Sequence, residues 1–189
     1  MTMAEDEFVQ FAEAVGPRLR RTAFLLCGDW HTAEDLAQTT LAKVFAAWRR
    51  ISRHDAVNAY AMRTLLNTYL AESRKRRPGE VLTGRLPEPP VPAPSPELRI
   101  ALLEALAMLP PKARAVVVLR DWADQSVEQT AALLGCSPGN VKSQSARALD
   151  KLRLLLDGIA TEPGAGDPVR QPNSAGKDGY GRNIASRPA

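Results

Sequence analysis

Two cysteines and two histidines are the only thiol and imidazole groups in the 189 residues. Cys27 and Cys136 stand far apart with no CxxC spacing, and His31 and His54 fall in polar turns with no paired acids at metal-ligand spacing. This set predicts no metal site, no disulfide framework and no cofactor, and it leaves both cysteines to apolar packing. The side chains spaced for chemistry are of another kind. Asn140, Lys142, Ser143, Gln144 and Arg147 crowd one stretch, with Lys151 and Arg153 just after it. Amides, a hydroxyl and a guanidinium presented together can hydrogen-bond base edges in the major groove, while Lys142, Lys151 and Arg153 suit phosphates. A second basic feature, the unbroken run Arg74-Lys75-Arg76-Arg77, can steer DNA by charge; its bland alternative is a solvated helix end beside a linker.

The elements that must position these groups follow from caps and periodicity. Ser126-Val127-Glu128-Gln129 reads as a capping box opening the helix Thr130-Ala131-Ala132-Leu133-Leu134. Gly135-Cys136-Ser137 turns the chain, and Ser137-Pro138 restarts a helix at once. At about 100° per residue, Val141, Ser145, Ala148, Leu149 and Leu152 gather on one side. Asn140, Ser143 and Arg147 point the other way, with Lys142 and Gln144 on the flanks. The result is a helix-turn-helix with an outward recognition face. A helical hairpin with an ordinary solvated face is the alternative, which Asp150 on that face favours; the tight capped turn and the small Ala131 and Ala132, which let helices cross closely, favour DNA binding.

The rest of the chain reads as helix too. Phe8, Phe11, Val15, Leu19 and Leu26 keep a helical period in a first helix, with a bend expected near Gly16-Pro17. After Gly28-Asp29, Thr32 is expected to cap a helix over Ala33 to Trp48, with Ala37, Leu41, Val44, Phe45 and Trp48 on one face. Asp55 can cap a third, with Val57, Tyr60, Ala61, Leu65 and Tyr69 inward and Arg63, Asn67 and Arg74 outside. From Pro78 to Pro96 lie seven of the 15 prolines, which removes donors and forbids helix across the stretch. As a semi-extended linker it could reach roughly 50 Å at about 3.1 Å per residue, more than one turn of DNA at about 34 Å. Ser95-Pro96 opens a helix with Leu98, Leu102, Ala105, Leu106 and Leu109 on one side, and Lys112 to Trp122 forms another after Pro110-Pro111. Beyond about Gly158 large apolar residues almost vanish, and a disordered tail is expected.

The fold class expected is therefore all-α: two small helical domains, 5–78 and 96–157, joined by a Pro-rich linker over 79–95 and followed by a disordered C-terminal tail over 158–189. A hydrophobic content of 44% supports a buried core, and the net charge of +4 is mild for a nucleic-acid binder, so the local placement of the basic residues matters more than the total. No apolar stretch approaches the roughly 18 residues of a membrane span, and the acidic start lacks the pattern of a signal peptide. A cytoplasmic protein is expected.

At this point the residues resemble a family. Leu109-Pro110-Pro111-Lys112-Ala113-Arg114 through Leu119-Arg120, then Ser126 to Ser137, then Val141-Lys142-Ser143-Gln144-Ser145-Ala146-Arg147-Ala148-Leu149, are similar to the C-terminal domain of extracytoplasmic-function (ECF) sigma factors, which binds the minus-35 promoter element. Ala33-Glu34-Asp35-Leu36-Ala37-Gln38-Thr39 to Trp48 resembles the family's polymerase-binding region, and Ala59-Tyr60 through Asn67-Thr68 to Arg77 its minus-10 recognition region. Thr39-Thr40-Leu41-Ala42-Lys43 and the Val-Lys-Ser-Gln run look closest to the actinobacterial SigE-like sub-group.

The resemblance implies a non-enzymatic subunit whose partners are core RNA polymerase and promoter DNA, with an anti-sigma factor as a further partner the family allows. It implies that Asp35, Gln38, Leu41 and Val44 face polymerase, although Leu41 and Val44 can equally be core. It assigns Arg49, Arg50, Arg53 and His54 to the unpaired minus-10 strand, with Arg63, Asn67, Arg74 and Arg76 toward its backbone, and Asn140, Lys142, Ser143, Gln144, Arg147 and Lys151 to minus-35 DNA. Gln144 departs from the Arg common at its position, which removes a bidentate contact. Two rivals stay open: a stand-alone regulator, which would bind duplex DNA without polymerase, and a helical enzyme acting on nucleic acid.

Overall fold

The computed structural model describes residues 3–51, 54–75 and 96–161. The expected linker, the tail past Thr161, and Arg53, Arg76, Arg77 and Ser95 lie outside the described residues. Seven α-helices make up the rest: α1 (Met3–Cys27), α2 (Trp30–Ala47), α3 (His54–Ser73), α4 (Pro96–Ala107), α5 (Pro111–Val117), α6 (Val127–Leu134) and α7 (Pro138–Thr161). A 3-10 turn, Trp48–Arg50, follows α2, and a π-helical turn, Val118–Trp122, prolongs α5.

Local chemistry sets the joints. α1 runs from Met3 to Cys27 with Pro17, where a bend is expected, inside it. It ends where Gly28 takes φ +72, a left-handed conformation costly for any side chain, and the Gly28 N–H reaches back to the Phe24 carbonyl at 2.6 Å. Asp29, not Thr32, caps α2: its carboxylate accepts from the Thr32 N–H at 2.7 Å, which places Thr32 inside the first turn. In α3 the buried stripe is Val57, Ala61, Met62, Leu65, Leu66 and Tyr69. Tyr60, expected inside, falls past the edge of that stripe and is 39% exposed. His54 rather than Asp55 begins the helix. Leu98 is also exposed, because it sits in the first turn of α4 ahead of the first buried residue, Ala101.

In the second half, the run Ala115 to Leu119 is buried all round, so α5 is a central helix rather than an amphipathic one. Its last turn widens: the Ala123 N–H bonds the Val118 carbonyl at 2.9 Å, five residues back. The Ala123 carbonyl then accepts from side chains instead, Gln125 Nε2 at 2.9 Å and Arg18 Nη2 at 3.2 Å. The capping box of α6 is formed in both directions, Gln129 N–H to Ser126 Oγ at 3.1 Å and Ser126 N–H to Gln129 Oε1 at 2.7 Å. Ser126→Ala is expected to cost about 1 kcal/mol, read as a lower midpoint in urea unfolding with an unchanged slope.

Three apolar clusters hold the molecule. Val116, Ala131 and Val141 lock the helix-turn-helix, and Ala105, Leu106, Leu109, Val117, Ala148 and Leu152 join α4, α5 and α7. The largest takes Leu19, Leu26, Leu36, Val44, Leu65 and Leu66 from α1–α3, yet also Val118, Leu119, Ala123 and Leu133 from the second half. The two halves therefore share a core.

Candidate nucleic-acid interface

The turn before α7 is built from backbone. Gly135 takes φ +64, and the Cys136 N–H bonds the Ala131 carbonyl at 3.0 Å, which closes α6 and sends the chain straight into α7. Ser137 then caps α7, its Oγ accepting from the Asn140 N–H at 3.2 Å. Val141, 0% exposed, pins the helix against Val116 and Ala131. Of the small pair expected at the crossing, Ala131 is buried there and Ala132 is exposed.

Pinned this way, α7 turns Asn140, Lys142, Ser143 and Arg147 outward, all exposed, while Gln144 is half-buried. Gln144 Nε2 donates to Asn140 Oδ1 at 2.6 Å, so the two amides are held as a pair with the Asn140 amide nitrogen and the Gln144 carbonyl left over for a ligand. Ser143 Oγ donates to the Asn140 carbonyl at 3.1 Å. Lys151 is tied back: its Nζ donates to the Met108 carbonyl at 3.0 Å, just past α4. Asp150 is neutralised by Arg153 at 2.9 Å, an exposed pair worth little to stability, so its charge no longer stands alone on this face. The Glu128 carboxyl, at the start of α6, is held below its ordinary range by its own backbone N–H, then by the Ser126 hydroxyl, with Lys142 adding an attractive charge.

The other basic face lies on α2 and α3. Arg49 and Arg50 are exposed in the 3-10 turn, and His54 starts α3. Arg63 and Asn67 stand four residues apart on the outside of α3, and Arg74 is exposed beyond its end, with Nε donating to the Leu70 carbonyl at 3.1 Å. Tyr60 shares the face of Arg63 and Asn67, a ring that sequence reasoning assigned to the core because tyrosine counts as apolar at that spacing. Next to Arg49 and Arg50, Phe45 is 49% exposed and meets Phe8 at 4.8 Å between ring centroids, while Trp48 meets Phe8 at 5.3 Å and Phe11 at 5.2 Å.

On α2, Asp35 and Gln38 are exposed; Gln38 Nε2 approaches Glu34 Oε1 at 3.4 Å, and Glu34 pairs with Arg20 at 3.5 Å. Leu41 is half-buried against the core. Val44, expected among the polymerase-facing residues, is 0% exposed. It lies on the inner side of α2 with Ala33, Leu36, Ala37 and Thr40, so it supports that surface from beneath and presents nothing on it. Cys27 is buried and Cys136 half-buried, and among the described residues no group of three His, Cys, Asp or Glu could hold a metal ion. No helix among them is long and apolar enough to cross a membrane.

Residues 11–78 match Sigma-70 region 2 and residues 99–152 match Sigma-70, region 4. The RNA polymerase sigma-E factor of Streptomyces antibioticus is 41% identical over 160 residues, 82% of this chain and 89% of that protein. The chain belongs to the sigma-70 family. Its ECF character is carried by the ECF RNA polymerase sigma factor EcfG of Rhodopseudomonas palustris, 32% identical over 163 residues that cover 83% of this sigma factor and 90% of the relative. The sigma factor RpoE of Bartonella quintana, solved in complex with the anti-sigma factor NepR, is similar in structure, with a TM-score of 0.66 and 30% identity over 80% of this chain and 97% of that one. Sigma factors are transcription initiation factors, and the rival reading as a stand-alone regulator loses its ground with the family.

Proposed function

We propose that this ECF sigma factor, which binds core RNA polymerase and directs promoter recognition and initiation, divides the work between its faces as follows. The outward side of α7, with Asn140, Ser143, Gln144 and Arg147 toward base edges and Lys142 toward phosphate, reads the minus-35 duplex. The face with Arg49, Arg50, Arg63, Asn67 and Arg74 takes the minus-10 strand, with Arg53, His54 and Arg76 adjoining it in sequence. The exposed rings of Phe45 and Tyr60 give unpaired bases surfaces to stack on, each worth about 1–3 kcal/mol. Asp35 and Gln38 meet polymerase. Lys151 serves first to hold α4 and reaches DNA only second. The protein acts in the cytoplasm, where polymerase and promoter are, carries no catalytic step of its own, and can be held by an anti-sigma factor.

The observation that supports this most is the capped helix-turn-helix, which leaves Asn140, Lys142, Ser143 and Arg147 exposed on a helix whose opposite side is pinned by Val141. Run-off transcription from promoter fragments with purified core polymerase tests it: new start sites appear only when both proteins are present. Arg147→Ala is expected to lower initiation about tenfold or more at minus-35-dependent promoters, in line with about 1–3 kcal/mol for a base contact. Lys142→Ala should weaken promoter binding uniformly across sequences and reduce the salt slope by about one. Duplex binding by the protein alone, with no added transcripts, contradicts the proposal.

A further inference from the structure

The start of α7 carries two side-chain amides that are not independent of each other. Asn140 and Gln144 stand four residues apart, near enough on a helix to meet, and Gln144 Nε2 donates to Asn140 Oδ1 at 2.6 Å. The backbone under them is fixed as well. The Asn140 N–H donates to Ser137 Oγ at 3.2 Å, and the Asn140 carbonyl accepts from Ser143 Oγ at 3.1 Å. Asn140 is exposed and Gln144 half-buried, so the stem of the longer amide already lies against the protein. Each amide has an oxygen that accepts and a nitrogen that donates. The bond between them engages one oxygen and one nitrogen, and what is left over is one of each on different residues: Asn140 Nδ2 and Gln144 Oε1, neither with a partner among the described residues. Turning both amides over would exchange the two residues' parts and leave the same pattern of one donor and one acceptor.

We infer that Asn140 and Gln144 act as one composite reader that selects adenine at a single position of the minus-35 element. The inference rests on the proposed reading of the minus-35 duplex by the outward side of α7, and it adds which base the start of that helix selects. In the major groove adenine presents an acceptor, N7, next to a donor, its N6 amino group, which is the complement of the leftover pair. Guanine presents two acceptors, N7 and O6, so one of them would meet the amide oxygen lone pair to lone pair. Cytosine offers only its N4 donor, and thymine only its O4 acceptor beside a methyl group. Adenine alone satisfies both halves. Because the two amides are already joined before DNA arrives, less of the cost of ordering them falls on binding. Arg147, on the same exposed face, has a guanidinium that only donates and cannot supply the acceptor. By the same logic a donor-only side chain at position 144, beside the Asn140 nitrogen, would select guanine. A surface amide pair that merely supports the helix would select no base at all.

The test is initiation by core polymerase with the full-length protein on a barcoded promoter library whose minus-35 duplex is randomised, with transcripts counted against the input. The wild type is expected to favour adenine over each other base about tenfold at one position. Asn140→Ala and Gln144→Ala should each flatten that position and leave the rest of the element unchanged, and the double variant should lose no more than either single one, because the pair acts as a unit. Gln144→Arg should move the preference there from adenine to guanine. At the position so located, 7-deazaadenine, which lacks the N7 acceptor, should lower initiation by the wild type several-fold and by the double variant not at all. The absence of any adenine-selecting position in the wild type overturns the inference, as does one that survives both single variants or Gln144→Arg, or one flattened by the loss of one amide and not the other. In each of those cases transcripts that still depend on the minus-35 sequence leave the proposed function standing. A library that yields no transcripts beyond those of core polymerase alone contradicts that function, and the inference with it.

Discussion

Val141→Asp is expected to abolish minus-35-dependent transcription more completely than the loss of any single side chain on the exposed face of α7. Val141 is 0% exposed and fills the junction of α5, α6 and α7 with Val116 and Ala131. A carboxylate there would be buried against Val116 and Ala131, while the bases nearest in sequence, Lys142 and Arg147, are exposed. Burying an unpaired charge costs several kcal/mol, a large share of the 5–15 kcal/mol that holds a domain folded. The helix would detach from α6, and with it would go the alignment of Asn140, Ser143 and Arg147. Removing one of those exposed groups instead, as in Asn140→Ala, leaves stability within about 0.5 kcal/mol and takes away only its own contact, about 1–3 kcal/mol. Urea unfolding and run-off transcription measured together separate the two. Val141→Asp should lose both, Asn140→Ala the second alone, and an unchanged unfolding midpoint for Val141→Asp would mean that the junction does not position the helix.

That contrast follows the boundary of what the sequence makes legible. The capping box at Ser126 and Gln129, the turn at Gly135 and the division of α7 into a buried and an exposed side are decided within a few residues, by cap chemistry and by the 3.6-residue period, and all are readable from spacing. What is not readable is decided across long separations. Arg114 lies in the run Pro111-Lys112-Ala113-Arg114 and looks like an ordinary solvated basic residue, because its partner carbonyl at Leu26 is 88 residues away. The Arg18 clasp crosses 105 residues and the Lys151 tie 43. Periodicity locates a stripe but not its edges, which is why Tyr60 falls outside the core. It also says nothing of what covers a stripe: the two regions matched on either side of the proline-rich spacer meet in one apolar cluster, and spacing alone gives no sign of that contact.

Val44 shows the same limit on α2, the helix proposed to meet polymerase, and Val44→Asp is expected to unfold the first half rather than to lower polymerase affinity selectively. Position 44 is 0% exposed within the largest apolar cluster, whereas Asp35 and Gln38 are exposed on the same helix. A charge at 44 would sit within this apolar cluster, one turn from buried Thr40, whose Oγ1 already has no hydrogen-bond partner among the described residues. The cost, several kcal/mol, falls on folding. Because this cluster also takes in Leu119 and Leu133, the damage should reach the second half, and thermal unfolding should shift for the molecule as one unit. Val44→Ala gives a graded version, about 1–2.5 kcal/mol from the lost methyl groups and the cavity they leave. Asp35→Ala is expected to do the reverse, weakening core polymerase binding with the melting temperature unchanged, since an exposed carboxylate contributes little to stability. If Val44→Ala melts like the wild type and binds core polymerase weakly, the side chain meets polymerase in an altered α2. If it melts early and binds normally once folded, the polymerase surface is the exposed side of α2 and Val44 is its support.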